Sequence, residues 1–537
     1  MSALPRRLLL AGADLMRART ARRLRKNGHA FAEQAAVWRR LTANLAATTY
    51  GQSVGFERGM TPEQFRRRIV PQPHEAFAPW IERMTRGEAD VLWPGLCHLY
   101  AITAGTSTGQ TRHVPVTPAM LGHFRRASRD ALLYYTARVG HSRVFRGRHL
   151  ILSGSAPVAP LPGTDRFEAL GGDLSGIGAL HLPGWAEDLL HEPGAEISRM
   201  TDWTAKVDAI IERTWNRDIS LVAGMPHWVL ALAAQFRGRL EGTSGLLPHL
   251  SALWPNLECL IHGGMPVAPF ADHLRFDLGP HVIFHEIFPS SEGFIAAQDS
   301  DAALGLRLMA DAGIFFEFLP MSEFREARLR ELGPKIVPLE GVQPGIDYAL
   351  VLTTPAGLSR YLNGDVVRFI SVDPPRLVHV GQTGLRLAGL AEQVSEREVT
   401  EVLADVCRRH HWQITDFHVA PQFPNAWSHH AAGRHEWWIE LHSGSVETPT
   451  GPILGAELDT ALRRINPDYA ARRLDGRLEP PLVRLVIPGV FEHWQRQKGR
   501  WGGHYKMPRC RSDRKVADEL AALTRFTPET QAPFRPR

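Results

Sequence analysis

The sequence predicts an α/β protein. It has a large N-terminal α/β domain with a β-rich subregion, followed by a smaller α+β domain. Two observations carry this. From Cys97 onward, short apolar runs alternate with stretches of helical spacing. After about Gly384 the texture changes, and the helix and strand patterns that follow fit a separate unit of about 150 residues, an ordinary domain size. At 537 residues the chain is long enough for two or more domains, and we divide it at 1–384 and 385–537.

Each element has its own signal. Residues from about Leu8 to Thr49 are helix-like, with Ala, Leu and Arg at helical spacing. Thr61-Pro62-Glu63-Gln64 reads as a capped helix start with proline in the first turn. Leu99–Ile102, His149–Leu152, Ile219–Gly224 and Leu257–Ile261 read as strands. Tyr348–Thr354 and Val366–Ile370 form the β-rich subregion. In the smaller domain a helix over Ser395–His410 precedes the strands Asp416–Ala420 and Glu436–Leu441. A helix around Ala456–Ile465 and a strand at Leu482–Val486 close it.

Composition narrows the function classes. Hydrophobic residues are 44% and charged residues 22%, which fits a soluble globular protein. The net charge of +6 comes largely from arginine, with Arg17, Arg19, Arg22, Arg23, Arg25 and Lys26 clustered early. Helix-turn-helix spacing, zinc-finger spacing and arginine-rich low complexity are all missing, so we read a solvated basic helix and no nucleic-acid partner. Cys97, Cys259, Cys407 and Cys510 are far apart and form no CxxC pair, as expected of a cytoplasmic protein. Asp14 cuts short the apolar run behind Arg6-Arg7, and no run of about 18 apolar residues offers a membrane span. His429, His430 and His435 read as part of a solvated loop rather than a metal site.

Four segments carry chemistry. Thr103–Arg112 packs hydroxyls around Gly105 and Gly109 and ends on a cation, a loop able to wrap phosphate oxygens, though it lacks the Gly-Lys-Ser/Thr ending of a P-loop. Glu286–Gly293 sets Glu292 beside Ser290 and Ser291, where a carboxylate can hold Mg²⁺ against a triphosphate; its alternative is a surface turn. Gly357–Asp365 puts Asp365 behind a glycine at the head of a strand, where a carboxylate can accept from a ribose diol; read alone it is an Asn-Gly-Asp hairpin turn. Gly502-Gly503-His504-Tyr505-Lys506 brings a lysine behind two glycines, either an exposed lysine or a cation for acyl–phosphate chemistry.

Together these segments resemble a family. Trp254–Glu258, His262-Gly263-Gly264, Ser291–Phe294, Phe316-Glu317-Phe318, Gly357–Asp365, Asn466–Tyr469 and Gly503–Arg509 resemble, in order, the Gretchen Hagen 3 (auxin-responsive promoter) family of acyl acid–amido synthetases. These belong to the acyl-adenylating superfamily. The resemblance implies an adenylating N-terminal domain and a mobile C-terminal domain. It implies an ATP- and Mg²⁺-dependent ligase that activates a carboxylic acid as its acyl-adenylate and passes the acyl group to an amino acid. The alternatives are an acyl-CoA or carrier-protein thioester ligase, and a non-catalytic binder of acyl acids or nucleotides.

Carried over residue by residue, the resemblance implies that Thr106, Ser107, Thr108 and Gly109 touch phosphates and that Arg112 supplies the loop's charge. Gly263, Gly264, Phe288 and Ser291 border the nucleotide and acyl pockets, and Asp365 binds ribose. Glu292 ligates Mg²⁺ and Lys506 acts at the reacting centre. The sequence departs from the family pattern at four places. Ala104 and Arg112 stand for serine and lysine, Phe288 for tyrosine, Gln382 for arginine and Ala391 for glycine.

Overall fold

The computed structural model describes residues 3–26, 28–104, 111–154, 158–162, 167–180, 184–240, 249–324, 326–383, 386–387, 394–423, 432–442, 449–498 and 507–525. The chain forms two compact units. One is Met1–Met265 with Leu274–His379; the other is Pro266–His273 with Val380–Arg537. Residues 384 and 385, where the sequence divides the domains, lie outside the described residues.

In the first unit, the helix-like stretch from about Leu8 to Thr49 is divided into two helices, Ala3–Leu24 and Ala30–Leu45, with a short turn of helix at Thr49–Ser53. The break has a local cause. Gly28 takes a left-handed φ of 80°, and its N–H donates to Asp373 Oδ1 at 2.7 Å, so the backbone turns there instead of continuing the ladder. Helix Pro62–Arg68 begins with a capping box: the Thr61 hydroxyl accepts from the Gln64 N–H and the Gln64 side chain accepts from the Thr61 N–H.

A twelve-stranded sheet dominates this unit. Its parallel half contains Ile283–Ser290, Cys259–Gly263, Ile219–Gly224, Arg148–Ile151 and His191–Glu192 in that order. Strands buried on both faces need continuous apolar runs, and Leu221, Val222, Cys259 and Leu260 are all within the core. The other half is antiparallel and contains Phe315–Pro320, Asp347–Thr353 and Tyr361–Val372. Phe316, Phe318, Leu350, Leu352, Val367 and Phe369 bury their alternate positions in one cluster. At about 1.5–3 kcal/mol per buried large side chain, such clusters supply the stability that fixes strand register. A separate four-stranded sheet pairs Leu99–Ala104 with Thr111–Pro115 and with Leu170–Gly172.

The second unit is built on a three-stranded sheet, Ile414–Gln422, Arg434–Leu441 and Leu482–Val486, with helices Glu396–Arg409 and Gly451–Ile465 packed on it. Ser395 caps the first helix in a box with Glu398. Phe417, Trp437, Ile439, Leu403 and Leu458 fill the space between sheet and helices. His435 lies within the strand Arg434–Leu441 and is buried, not looped out, whereas His429 and His430 lie outside the described residues. One acid is placed unusually here. Glu440 is buried beneath the start of helix Val490–Gln497 and accepts from the N–H groups of Gly489 at 2.9 Å and Phe491 at 3.1 Å. Burial pushes its carboxyl up to about 7.

Among the described residues, no helix is long and apolar enough to cross a membrane.

Candidate active site

Four elements of the first unit bring the site together. The first is the tight connection between Ile283–Ser290 and Gly293–Ala297, which leaves Ser291 and Glu292 at the turn. The second is the strand Tyr361–Val372, the third helix His74–Thr85, and the fourth the strand Thr111–Pro115.

Asp365 does not sit in a hairpin turn. Val351 pairs with Leu362 and Ala349 with Val366, so Leu350 alone faces Asn363, Gly364 and Asp365. The three residues bulge out of the strand, and Gly364 supplies a φ of 91° that a side chain would resist. The Asp365 carboxylate stands between Asn363 of the same bulge and His379 of the strand Pro375–Gln382. Its Oδ2 accepts from Asn363 Nδ2 at 2.6 Å, and its Oδ1 lies 3.3 Å from His379 Nε2. His379 in turn stands edge-on to Phe288, with ring centroids 4.9 Å apart.

Glu292 is buried, 7% exposed, although it occupies a turn. The Tyr361 hydroxyl donates to its Oε1 at 3.1 Å. Burial and then the neighbouring Asp365 raise its carboxyl above the ordinary value. Among the described residues no lysine or arginine pairs with it. His74 Nδ1 lies 3.4 Å from the Tyr361 hydroxyl oxygen, and burial, then Arg112, hold this histidine down at about 4, so it is neutral. Arg112 is paired: its Nη2 lies 3.0 Å from Glu75 Oε1. His74, Glu75, Ile81, Arg112, His113 and Leu161 line a cleft of about 360 Å³ beside this network.

Another buried carboxylate of this unit meets a different partner. Glu317 is fully buried, and Arg360 Nε meets its Oε2 at 3.1 Å. The same guanidinium donates to the carbonyls of Ile69 at 2.7 Å, Arg66 at 3.1 Å and Gly333 at 3.2 Å.

The strand-end glycines expected to border the nucleotide follow from close packing. A Cβ on Gly263 would stand 2.5 Å from the Ile287 carbonyl oxygen, and Gly264 takes a φ of 81°. Phe288 is buried and Ser291 is at the turn beside Glu292. Thr106, Ser107, Thr108, Gly109 and Lys506 lie outside the described residues. The structure thus brings Phe288, Ser291, Glu292, Asp365 and Arg112 into one neighbourhood. Sequence reasoning gave no role to His74, Glu75, Tyr361 or His379, none of which carries a motif of its own.

The donor set suits magnesium held by one protein carboxylate and by phosphate oxygens. Burial and the adjacent Asp365 raise the cost of ionising Glu292, which a divalent cation would relieve. Among the described residues, no cluster of three or more His, Cys, Asp or Glu offers a complete protein cage for a metal.

Comparison with known proteins gives a consistent picture. Residues 22–282 match the GH3 family N-terminal domain, 307–382 its central domain and 397–515 its C-terminal domain. An indole-3-acetic acid-amido synthetase, GH3.8 of Oryza sativa subsp. indica, is 26% identical over 281 residues, 49% of this chain and 44% of that protein. The chain thus spans about half the length of the first curated relatives it matches. A probable indole-3-acetic acid-amido synthetase, GH3.12 of Oryza sativa subsp. japonica, is 23% identical over 88% of this chain and 90% of its own. The fold is that of a solved GH3.15 acyl acid amido synthetase, with a TM-score of 0.70 and 18% identity over 91% of this chain and 93% of that one. A 2-hydroxyisobutyryl-CoA ligase shares it more loosely, with a TM-score of 0.55 and 13% identity over 92% and 91%.

Proposed function

Because the chain belongs to the GH3 family, we propose that it is an ATP- and Mg²⁺-dependent ligase that joins a carboxylic acid to an amino acid through an amide bond. The observation that carries this reading is the pair of adjacent buried carboxylates, Glu292 and Asp365, within a chain matched by all three domains of the family.

The reaction follows from the chemistry of the groups. A carboxylate is a poor acyl donor, so its oxygen attacks the α-phosphorus of ATP and pyrophosphate leaves. The amine of the amino acid then attacks the acyl carbon and AMP departs. Asp365 accepts from the ribose hydroxyls, the backbone at Gly263 and Gly264 and the ring of Phe288 border the nucleotide, and Ser291 lies at the same turn as the metal ligand. Glu292 would hold magnesium, which when bound would supply positive charge against the phosphates. Arg112 adds positive charge for the phosphates, and Thr106, Ser107, Thr108 and Gly109 contact them. Lys506, from the C-terminal domain 385–537, stabilises charge at the α-phosphate during attack. The four cysteines, all reduced and buried, suit a cytoplasmic protein.

The deciding experiment presents a panel of carboxylic acids with ATP, Mg²⁺ and each amino acid, and follows pyrophosphate release and product mass. Release of pyrophosphate with an amide product is expected. A thioester made with coenzyme A in place of the amide, or ATP binding with no release, overturns the reading. Lys506→Ala should slow adenylate formation by about a hundredfold in single turnover while ATP affinity changes little, as expected for a group that acts in the transition state.

A further inference from the structure

We propose that Tyr361, oriented by His74, is the positioning residue that fixes the Glu292 carboxylate for its cation. This rests on the reading of Glu292 as the magnesium ligand.

Three observations converge on it. First, the hydroxyl has one consistent set of partners. A buried phenol must spend its single proton, and Glu292 Oε1 at 3.1 Å is an acceptor that cannot donate when ionised. The phenolic oxygen is then left to accept, and His74 Nδ1 at 3.4 Å is the group that faces it. Neutral His74 therefore carries its proton on Nδ1, and the order of donation runs from His74 to Tyr361 to Glu292.

Second, the ring cannot move. Tyr361 is fully buried, with Phe77 at 5.8 Å and the His74 ring edge-on at 6.2 Å. The backbone on both sides is tied to one residue: the Gln72 N–H donates to the Arg360 carbonyl and the Leu362 N–H donates to the Gln72 carbonyl, both at 2.9 Å. Arg360 itself holds a φ of 45° and is locked by Glu317 and three carbonyls.

Third, Glu292 needs such support. It stands at a two-residue turn, where a glutamate side chain has several rotamers and loses entropy when one is imposed. A hydrogen bond from an immobile hydroxyl selects one orientation before any cation arrives. Outer groups that orient a metal ligand commonly change metal affinity about 10- to 100-fold when removed.

The test measures ATP binding by calorimetry, with no acid present, as Mg²⁺ is titrated. Tyr361→Phe keeps the ring and removes the hydroxyl. The Mg²⁺ concentration needed for half-maximal ATP binding should rise about tenfold, while binding at saturating Mg²⁺ stays within about twofold. His74→Phe removes the supporting donor and should shift the same curve in the same direction by less. In a Glu292→Gln background Tyr361→Phe should add nothing further. An unchanged curve for both Tyr361→Phe and His74→Phe overturns the proposal, as does an undiminished effect of Tyr361→Phe without the Glu292 carboxylate. A Glu292→Gln curve identical to the parent's instead overturns the metal-ligand reading on which the proposal rests, so the two failures are distinct.

Discussion

Arg360 and Tyr361 are consecutive residues, yet each reaches a different buried glutamate, and the two glutamates meet different partners. Arg360 gives Glu317 a guanidinium and donates also to three carbonyls, so this acid meets a counter-charge inside the fold, although burial still raises its carboxyl. Tyr361 gives Glu292 a hydroxyl and no counter-charge, and burial, then Asp365, raise that carboxyl. A balanced acid is finished as structure. An unbalanced one is stable enough to fold but still gains by meeting a cation. On the proposed reading, the difference between a structural acid and one that holds a metal is a single partner side chain, one step along the backbone.

This comparison can be broken most directly at its balanced half. Glu317→Gln leaves a buried guanidinium without its counter-charge, and losing one partner of such a pair costs about 3–5 kcal/mol. Urea unfolding should show that loss; a variant as stable as the parent would mean that the three carbonyls alone satisfy Arg360. The next effect is at the site. Asp365→Ala removes a charged acceptor worth about 1.5–3 kcal/mol, so apparent ATP affinity should weaken about tenfold or more. Unchanged ATP saturation in the folded variant removes Asp365 from the ribose site.

Glu440 sharpens the contrast as a third case, an acid held by two backbone N–H groups and no cation. Its carboxyl is raised to about 7, so the unfolded chain releases the proton first as pH rises. Its contribution to the stability of the second unit is therefore fully present below the ordinary carboxyl value and falls as pH rises through about 7. Hydrogen exchange along Arg434–Leu441 should slow as pH-corrected stability grows toward acid, and Glu440→Gln should flatten that slope. The smallest effect belongs to Glu292→Gln, which should change unfolding free energy by no more than about 1 kcal/mol, the size of an ordinary substitution. A loss as large as that of Glu317→Gln would erase the distinction.

Much of the architecture is legible in the sequence because its signals are local. The strands at Ile219–Gly224 and Leu482–Val486 follow from short runs that are mostly apolar, and the helix read over Ser395–His410 is found at Glu396–Arg409 behind the Ser395 cap. The helix break at Gly28 was hidden by a helical pattern on both sides of one glycine. The site is legible only in part, because its geometry is non-local. His74 and Tyr361 are 287 positions apart, and nothing around His74 distinguishes it from a core histidine until the two meet. Asn363-Gly364-Asp365 has the composition of a hairpin turn, and the preference of those residues for turning is real. The strand absorbs it as a bulge because Tyr361, Val366 and Val367 continue to bury on either side.

That bulge also sets the phase of everything after it. Three residues stand against one, so the excess is two, and two is one full period of a strand's alternation. Val366 onward therefore keeps the same inward and outward faces as if no residues had been added. Removing both extra residues would straighten the strand and cost the Asp365 carboxylate its place beside His379 while leaving the Val367 and Phe369 side of the sheet in register. Removing one would invert every later position, turning Val367 and Phe369 out of their cluster. Length at this point is quantised: the segment can change by even steps and keep its core, so its reach toward a nucleotide can vary without renegotiating the sheet that carries it.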